Sequence, residues 1–359
     1  MKRYVLIAGE TSGDQYGSQL MEALKEIDPE SEFWGIGGEG MIGSGLNQLE
    51  NIHNMSVVGF SEALKKVPTM LNLANRLSQF ISDVKPDRVI LIDFPGFNLS
   101  LAKKIKRLSN ETKIDFFISP QIWAWNEKRV KIIKKYINHM IVIFPFETSF
   151  YKKHGIKAHY VGHPYLDQWK PSTSKYLRKK LNLDGSKKIV GIFPGSRSQE
   201  LEVHLPIYLK AAESLSKQKN VKCVIGLAPG FDKLKIESQF NLGNIKIVDN
   251  EPLKLLECCD VALVTSGTIS LQATFMNTPC VVAYKLSRLS GYLSKLLMKV
   301  QFISMTNIIA NKSIIPEFVQ KEFEPKKIYD KACRVIDRKS ENAKILKGYA
   351  SVSYTHLTL

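Results

Sequence analysis

Short apolar runs rich in β-branched residues recur along almost the whole chain, and most are followed by a segment of helical periodicity. Tyr4–Ala8, Arg88–Ile92, Ile114–Ile118, Met140–Phe144, Ile189–Phe193, Val221–Ile225, Ile245–Val248, Val261–Val264 and Cys280–Tyr284 read as strands. Tyr16–Ile27, Glu62–Ser82, Leu99–Leu108, Glu202–Ser216 and Ile269–Met276 read as helices. Strands that are apolar throughout and separated by helices predict parallel sheets covered on both faces. The fold class is therefore α/β, doubly wound. A chain of 359 residues exceeds one core, so two lobes are expected. Between Pro164 and Lys188 the alternation lapses, where Pro171, Ser172, Thr173, Ser174 and Gly185 interrupt a lysine-rich helix. This puts a first domain at residues 1–165, a linker at 166–187 and a second domain at 188–348. Residues 349–359 read as an atypical, acid-free tail after a helical pattern that ends near Lys347.

Several classes fall away early. Nowhere do 18 apolar residues run together, which excludes a spanning helix. The five cysteines are scattered without a C-x-x-C pair, an arrangement that speaks against a disulfide framework or zinc knuckle and for a reducing cytoplasm. The formal charge of +17 is uneven. Residues 1–102 carry 8 basic and 13 acidic groups, residues 103–157 carry 13 and 4, and residues 261–316 carry 5 and none. Such asymmetry calls for an anionic partner: nucleic acid, an anionic bilayer or a phosphorylated substrate. No finger, RNP or helix-turn-helix signature supports the first, so no nucleic-acid partner is assigned. Two apolar stretches with interleaved lysines, Val57–Leu73 and Leu286–Val300, fit core packing and also a membrane surface. There each basic group adds about 1 kcal/mol.

Parallel α/β sheets bind ligands where strands end and helices begin, because loop amides and the helix dipole point there. After the first strand come Gly9, Glu10, Thr11, Ser12, Gly13 and Asp14. Ser12 or Asp14 is able to cap the following helix, which leaves Glu10 without a structural task; Ser12, Gly13 and Asp14 are also candidate substrate contacts. The Gly35-Ile36-Gly37-Gly38-Glu39-Gly40 run matches a dinucleotide pattern but follows the second strand, so it reads as a turn allowing close backbone approach. Asp93 ends a strand beside Phe94-Pro95-Gly96-Phe97-Asn98, the placement a general base needs, and lies five residues from the helix start expected near Asn98. Trp123 and Trp125 follow another strand end and serve packing or stacking on a sugar or acyl chain. His163, in Val161-Gly162-His163-Pro164, stands at a strand end near the domain boundary, where it serves a structural hydrogen bond or a substrate contact. In the second lobe Gly195, Ser196 and Arg197 open one helix, and Ser266, Gly267 and Thr268 open another. Free amides, hydroxyls and a permanently charged fork suit a diphosphate. Neither loop has P-loop spacing. Without an Asp-x-Asp pair to hold a bridging metal, leaving-group charge falls to Arg197 and helix amides.

Taken in order, these motifs, with Ser119-Pro120-Gln121-Ile122-Trp123-Ala124-Trp125 and Pro145-Phe146-Glu147 among them, resemble the lipid-A-disaccharide synthase family over roughly residues 3 to 348. The resemblance implies a GT-B glycosyltransferase, two Rossmann-like lobes facing across a cleft, with the nucleotide on the second lobe. It implies transfer from UDP-2,3-diacylglucosamine to 2,3-diacylglucosamine 1-phosphate with release of UDP, at the cytoplasmic face of the inner membrane of Gram-negative bacteria. No cofactor or metal is implied. A homodimer is left open, as is a return of the terminal helices to the first lobe. Carried over, Asp93 matches the family's candidate base, with Glu10 a second. Arg197 matches the phosphate-loop arginine, Ser266 to Thr268 the helix-terminus phosphate site, and Asn307, as a substrate contact, the Asn of a Ser-x-x-Asn segment. Gln272 stands where related transferases have a ribose-binding Glu. The epimerases that share this fold and use UDP-sugars are the alternative.

Overall fold

The structure is a computed structural model that describes residues 1–55, 60–183, 185, 187–249, 251–285 and 301–357. Leu286–Val300, and Val57 and Val58 of the other lysine-bearing stretch, lie outside these, as does the side chain of Trp125. The chain divides into two compact units, Met1–Asp167 and Gln168–Thr358.

The first unit contains β1 (Arg3–Ala8), β2 (Glu32–Gly37), β3 (Leu46–Asn51), β4 (Arg88–Ile92), β5 (Ile114–Phe117), β6 (His139–Val142) and β7 (Ala158–Tyr160), in the order 3-2-1-4-5-6-7. The second contains β8 (Lys188–Phe193), β9 (Val221–Gly226), β10 (Lys246–Val248), β11 (Val261–Thr265), β12 (Cys280–Tyr284) and β13 (Glu317–Val319), in the order 10-9-8-11-12-13. Every described pairing is parallel. Helices cover the faces, so the central strands are apolar on both sides. Val5, Leu6, Ile7, Leu91 and Phe116 are fully buried in one core, and Val190, Ile192, Val224, Leu263 and Val281 in the other. Each such side chain stabilises its unit by roughly 1.5–3 kcal/mol.

In the second unit one expectation gains detail and one changes. Within the stretch read as a linker, Ser174–Lys180 is a helix whose Arg178 pairs with Asp260 at 2.8 Å and donates to the Cys258 carbonyl. The last helix does not stop near Lys347. It runs Lys339–Leu357, with Tyr349 and Val352 buried. The Tyr349 hydroxyl accepts the Cys280 N–H and lies 3.2 Å from the Thr278 carbonyl. An apolar face that continues through Val352 outweighs the polar, Thr-rich composition around it.

Candidate functional site

In each sheet the strand order reverses direction between two neighbours, β1 and β4 in the first unit and β8 and β11 in the second. Helices leave such a pair toward opposite faces, which opens a crevice at the carboxyl ends of the strands. Ala8 is paired with Ile92, so Gly9-Glu10 and Asp93-Phe94 emerge side by side at this point. Likewise Phe193 is paired with Val264, which brings Pro194–Arg197 and Ser266–Thr268 to the corresponding point of the second sheet.

The Asp93 turn is unusual. Asp93 and Phe94 have φ of 44° and 46°, two successive non-glycine residues in the left-handed region. Such backbone costs about 1–3 kcal/mol per residue and persists only where its surroundings enforce it. Here the fully buried Asn98 amide donates to the Ile92 and Asp93 carbonyls, at 3.2 and 2.8 Å. The Phe94 ring packs directly on Gly9, where a Cβ would fall 2.2 Å from the ring. The helix begins at Pro95 instead of near Asn98, with Phe94 at its cap. Asp93 therefore lies just before the cap residue, half-buried. Its charge reaches Tyr16, whose phenol is pushed up to about 12 by burial and by Asp93.

Glu10 is exposed at the cap of the first helix, which starts at Thr11. The expected loop thus shrinks to Gly9-Glu10, and neither Ser12 nor Asp14 caps. Ser12 is exposed in the first turn, and Gly13 is buried against Ala8. Asp14, expected above among the substrate contacts, is corrected. Its carboxylate accepts the amides of Gly38, Gly40 and Met41 at 2.6, 3.0 and 3.0 Å. It fills with the protein's own carboxylate the position that a phosphate takes at a glycine-rich helix start, which also explains why the Gly35–Gly40 run is a structural turn.

Around these groups His163 is buried, with its ring edge-on to Tyr16 and tilted against Phe144. Its Nδ1 accepts the Tyr165 N–H at 3.2 Å. Trp123 meets Phe146 edge-on and donates from Nε1 to Glu147 at 3.2 Å. Glu147 is fully buried, and burial pushes its carboxyl up to about 7 against hydrogen bonds from Trp123, Phe144 and Ser119. The backbone of Trp125 closes the short helix Ile122–Trp125.

In the second unit Gly195, at φ 131°, turns β8 into the helix Ser198–Gln218. Ser196 and Arg197 are exposed at its start. Below them the buried His204 bridges Pro194 and Lys285, joining the ends of β8 and β12. Gly267 caps the helix Thr268–Phe275, and Thr268 and Gln272, four residues apart, share one face. Gly267 and Thr268 are exposed, and the Ser266 hydroxyl donates to the Ile303 carbonyl at 2.6 Å. Asn307, expected to touch substrate, is corrected as well. It is fully buried, its Oδ1 accepts the Ile314 and Ile315 amides, and its Nδ2 donates to the Ile315 carbonyl and to Glu317. Glu317 in turn accepts the Ile303 and Ser304 amides. The pair shapes the loop beneath Ser266. The roles of Asn98, Glu200, His204 and Glu317 are not visible in the sequence, where a lone polar residue inside a helix or short strand carries no pattern.

Comparison with known proteins sets the family. The family profile for Lipid-A-disaccharide synthetase matches residues 4–355. Lipid-A-disaccharide synthase of Myxococcus xanthus (strain DK1622) is 34% identical over 354 residues, 98% of this chain and 92% of its own. Among solved structures, UDP-GlcNAc 2-epimerase from Neisseria meningitidis has a TM-score of 0.66 at 12% identity, covering 99% of this chain and all of its own. The calicheamicin glycosyltransferase CalG4 has 0.59 at 12%, covering 99% and 95%. Those two likenesses carry the fold alone. Paired parallel sheets with strand-end loops and a family match along nearly the whole length make this chain a GT-B glycosyltransferase that belongs to the lipid-A-disaccharide synthase family.

Proposed function

We propose that the chain joins two acylated glucosamines, transferring 2,3-diacylglucosamine from its UDP ester to the 6-hydroxyl of 2,3-diacylglucosamine 1-phosphate in one inverting step. The observation that carries this reading is Asp93 on its enforced left-handed turn at the switch point of the first sheet. Strain of this kind gathers at working residues. Asp93 takes the proton of the attacking hydroxyl, and the anomeric bond to UDP breaks as the new bond forms. In the second unit Arg197, the Ser196 amide and the first amides of the Thr268 helix receive the charge that develops on the diphosphate. Gln272 bonds the ribose hydroxyls of the nucleotide through its neutral amide. Glu10 is the second candidate base.

The test measures UDP released from the diacylated donor in detergent, with and without the phosphorylated acceptor. Release that depends on acceptor supports the reading. Asp93→Asn is expected to lower turnover 100- to 10,000-fold while UDP still binds, and retained turnover transfers the role to Glu10. The fold likeness to an epimerase favours a second reading. Isomerised sugar formed from one UDP-sugar without acceptor establishes it in place of the first.

A further inference from the structure

One carboxylate sits inside the set of donors assigned above to the diphosphate. Glu200 Oε2 accepts the Ser196 N–H at 3.0 Å. Its Oε1 accepts the Tyr284 hydroxyl at 3.0 Å and lies 3.4 Å from Arg197 Nη1. The glutamate side chain is 11% exposed, the arginine 64%. A Cβ on Gly195 would fall 2.6 Å from both Cβ and Oε2 of Glu200, so the loop is moulded on this side chain. A glutamate in the first turn that merely caps a helix needs the amides at its start. It needs neither a guanidinium nor a phenol brought from another strand. Tyr284, at the end of β12, feels the same charge: burial and Glu200 push its hydroxyl up to about 12.

We propose that Glu200 is an internal anion that competes with the diphosphate of UDP for Ser196 and Arg197 and so hastens product release. The proposal rests on the reading that this loop holds the diphosphate. Ser196 and Arg197 cannot serve a phosphate and the carboxylate fully at once, and like charges this close repel. With UDP bound, Glu200 keeps Tyr284 as its donor. Once the glycosidic bond has formed, the carboxylate takes the amide and the guanidinium back.

The test is calorimetric titration of the full chain with UDP and, separately, with uridine, which lacks the phosphates. Glu200→Gln keeps the size of the side chain and one acceptor oxygen and removes the charge. It is expected to bind UDP at least threefold tighter, to leave uridine affinity unchanged, and to show stronger product inhibition by UDP. Unchanged or weaker UDP binding by Glu200→Gln overturns the proposal and leaves Glu200 a cap. Tyr284→Phe supplies an independent arm. It removes the donor that holds Glu200 aside, so UDP binding is expected to weaken, and unchanged binding counts against the proposal. Arg197→Ala separates the two levels. If it leaves wild-type UDP affinity intact, the loop is not the diphosphate site and both readings fail, whereas weaker binding retains the site and lets Glu200→Gln decide.

Discussion

At Gly9 the smallest side chain and a strained neighbour depend on each other. The ring of Phe94 occupies the space that any other residue at position 9 would need, and that ring helps to hold Asp93 and Phe94 at positive φ. Gly9→Ala is therefore expected to displace Phe94, let the turn relax and lower turnover at least tenfold in steady-state assay, with the far-ultraviolet spectrum preserved. Wild-type turnover would show that the ring does not maintain the turn. The position of Asp93 was legible in the sequence because the apolar run of β4 stops at Ile92, just before Phe94-Pro95-Gly96. Asn98 was not, since its bonds go to carbonyls of a turn whose shape only the folded chain defines. Asp14 misled for the same reason. A carboxylate among glycines and hydroxyls looks like part of a binding loop, yet it answers amides 24 to 27 residues away.

Strands buried on both faces declared themselves as apolar runs, whereas β3, β7 and β13 did not. These are edge strands that are polar or only three residues long, and edge position removes the demand for an apolar pattern. Helix starts were placed late, at Tyr16 for Thr11 and at Leu99 for Pro95, because first turns beside a ligand crevice carry glycine and polar residues. The helix Pro145–Lys153 brings Glu147 into the first core, bonded to the Phe144 amide and the Trp123 indole. Its carboxyl moves from 4.5 to about 7, chiefly through burial, so the folded unit holds a proton that the unfolded chain gives up. That contribution is complete below about pH 4.5 and is lost as pH rises through 7, an effect of roughly 3 kcal/mol. The thermal midpoint of the wild type should therefore fall between about pH 5 and 7.5 more steeply than that of Glu147→Gln. Equal slopes would show that Glu147 titrates as an ordinary carboxyl.

Across the whole chain, charge and fold tell separate stories. Among the described residues no helix is long and apolar enough to cross a membrane. Residues 103–157, with 13 basic and 4 acidic groups, all belong to the first unit, which also exposes about half of Val67 and Leu71 on the helix Phe60–Val84. We propose that this unit rests on the inner membrane. Sedimentation with vesicles containing an anionic lipid should then be strong at low salt and weaken severalfold near 0.5 M, where the Debye length is only a few ångströms (roughly). Binding indifferent to both salt and lipid charge would remove the electrostatic part of this proposal. The two-lobe architecture was readable from rhythm and length alone. The way the final helix serves the second lobe was not, because one tyrosine decides it.

Tyr349 works as a cork. Its phenol closes the second core against the Cys280 amide and the Thr278 carbonyl, so trimming the chain to a point before it would uncap a hollow lined by a thiol and two orphaned backbone groups.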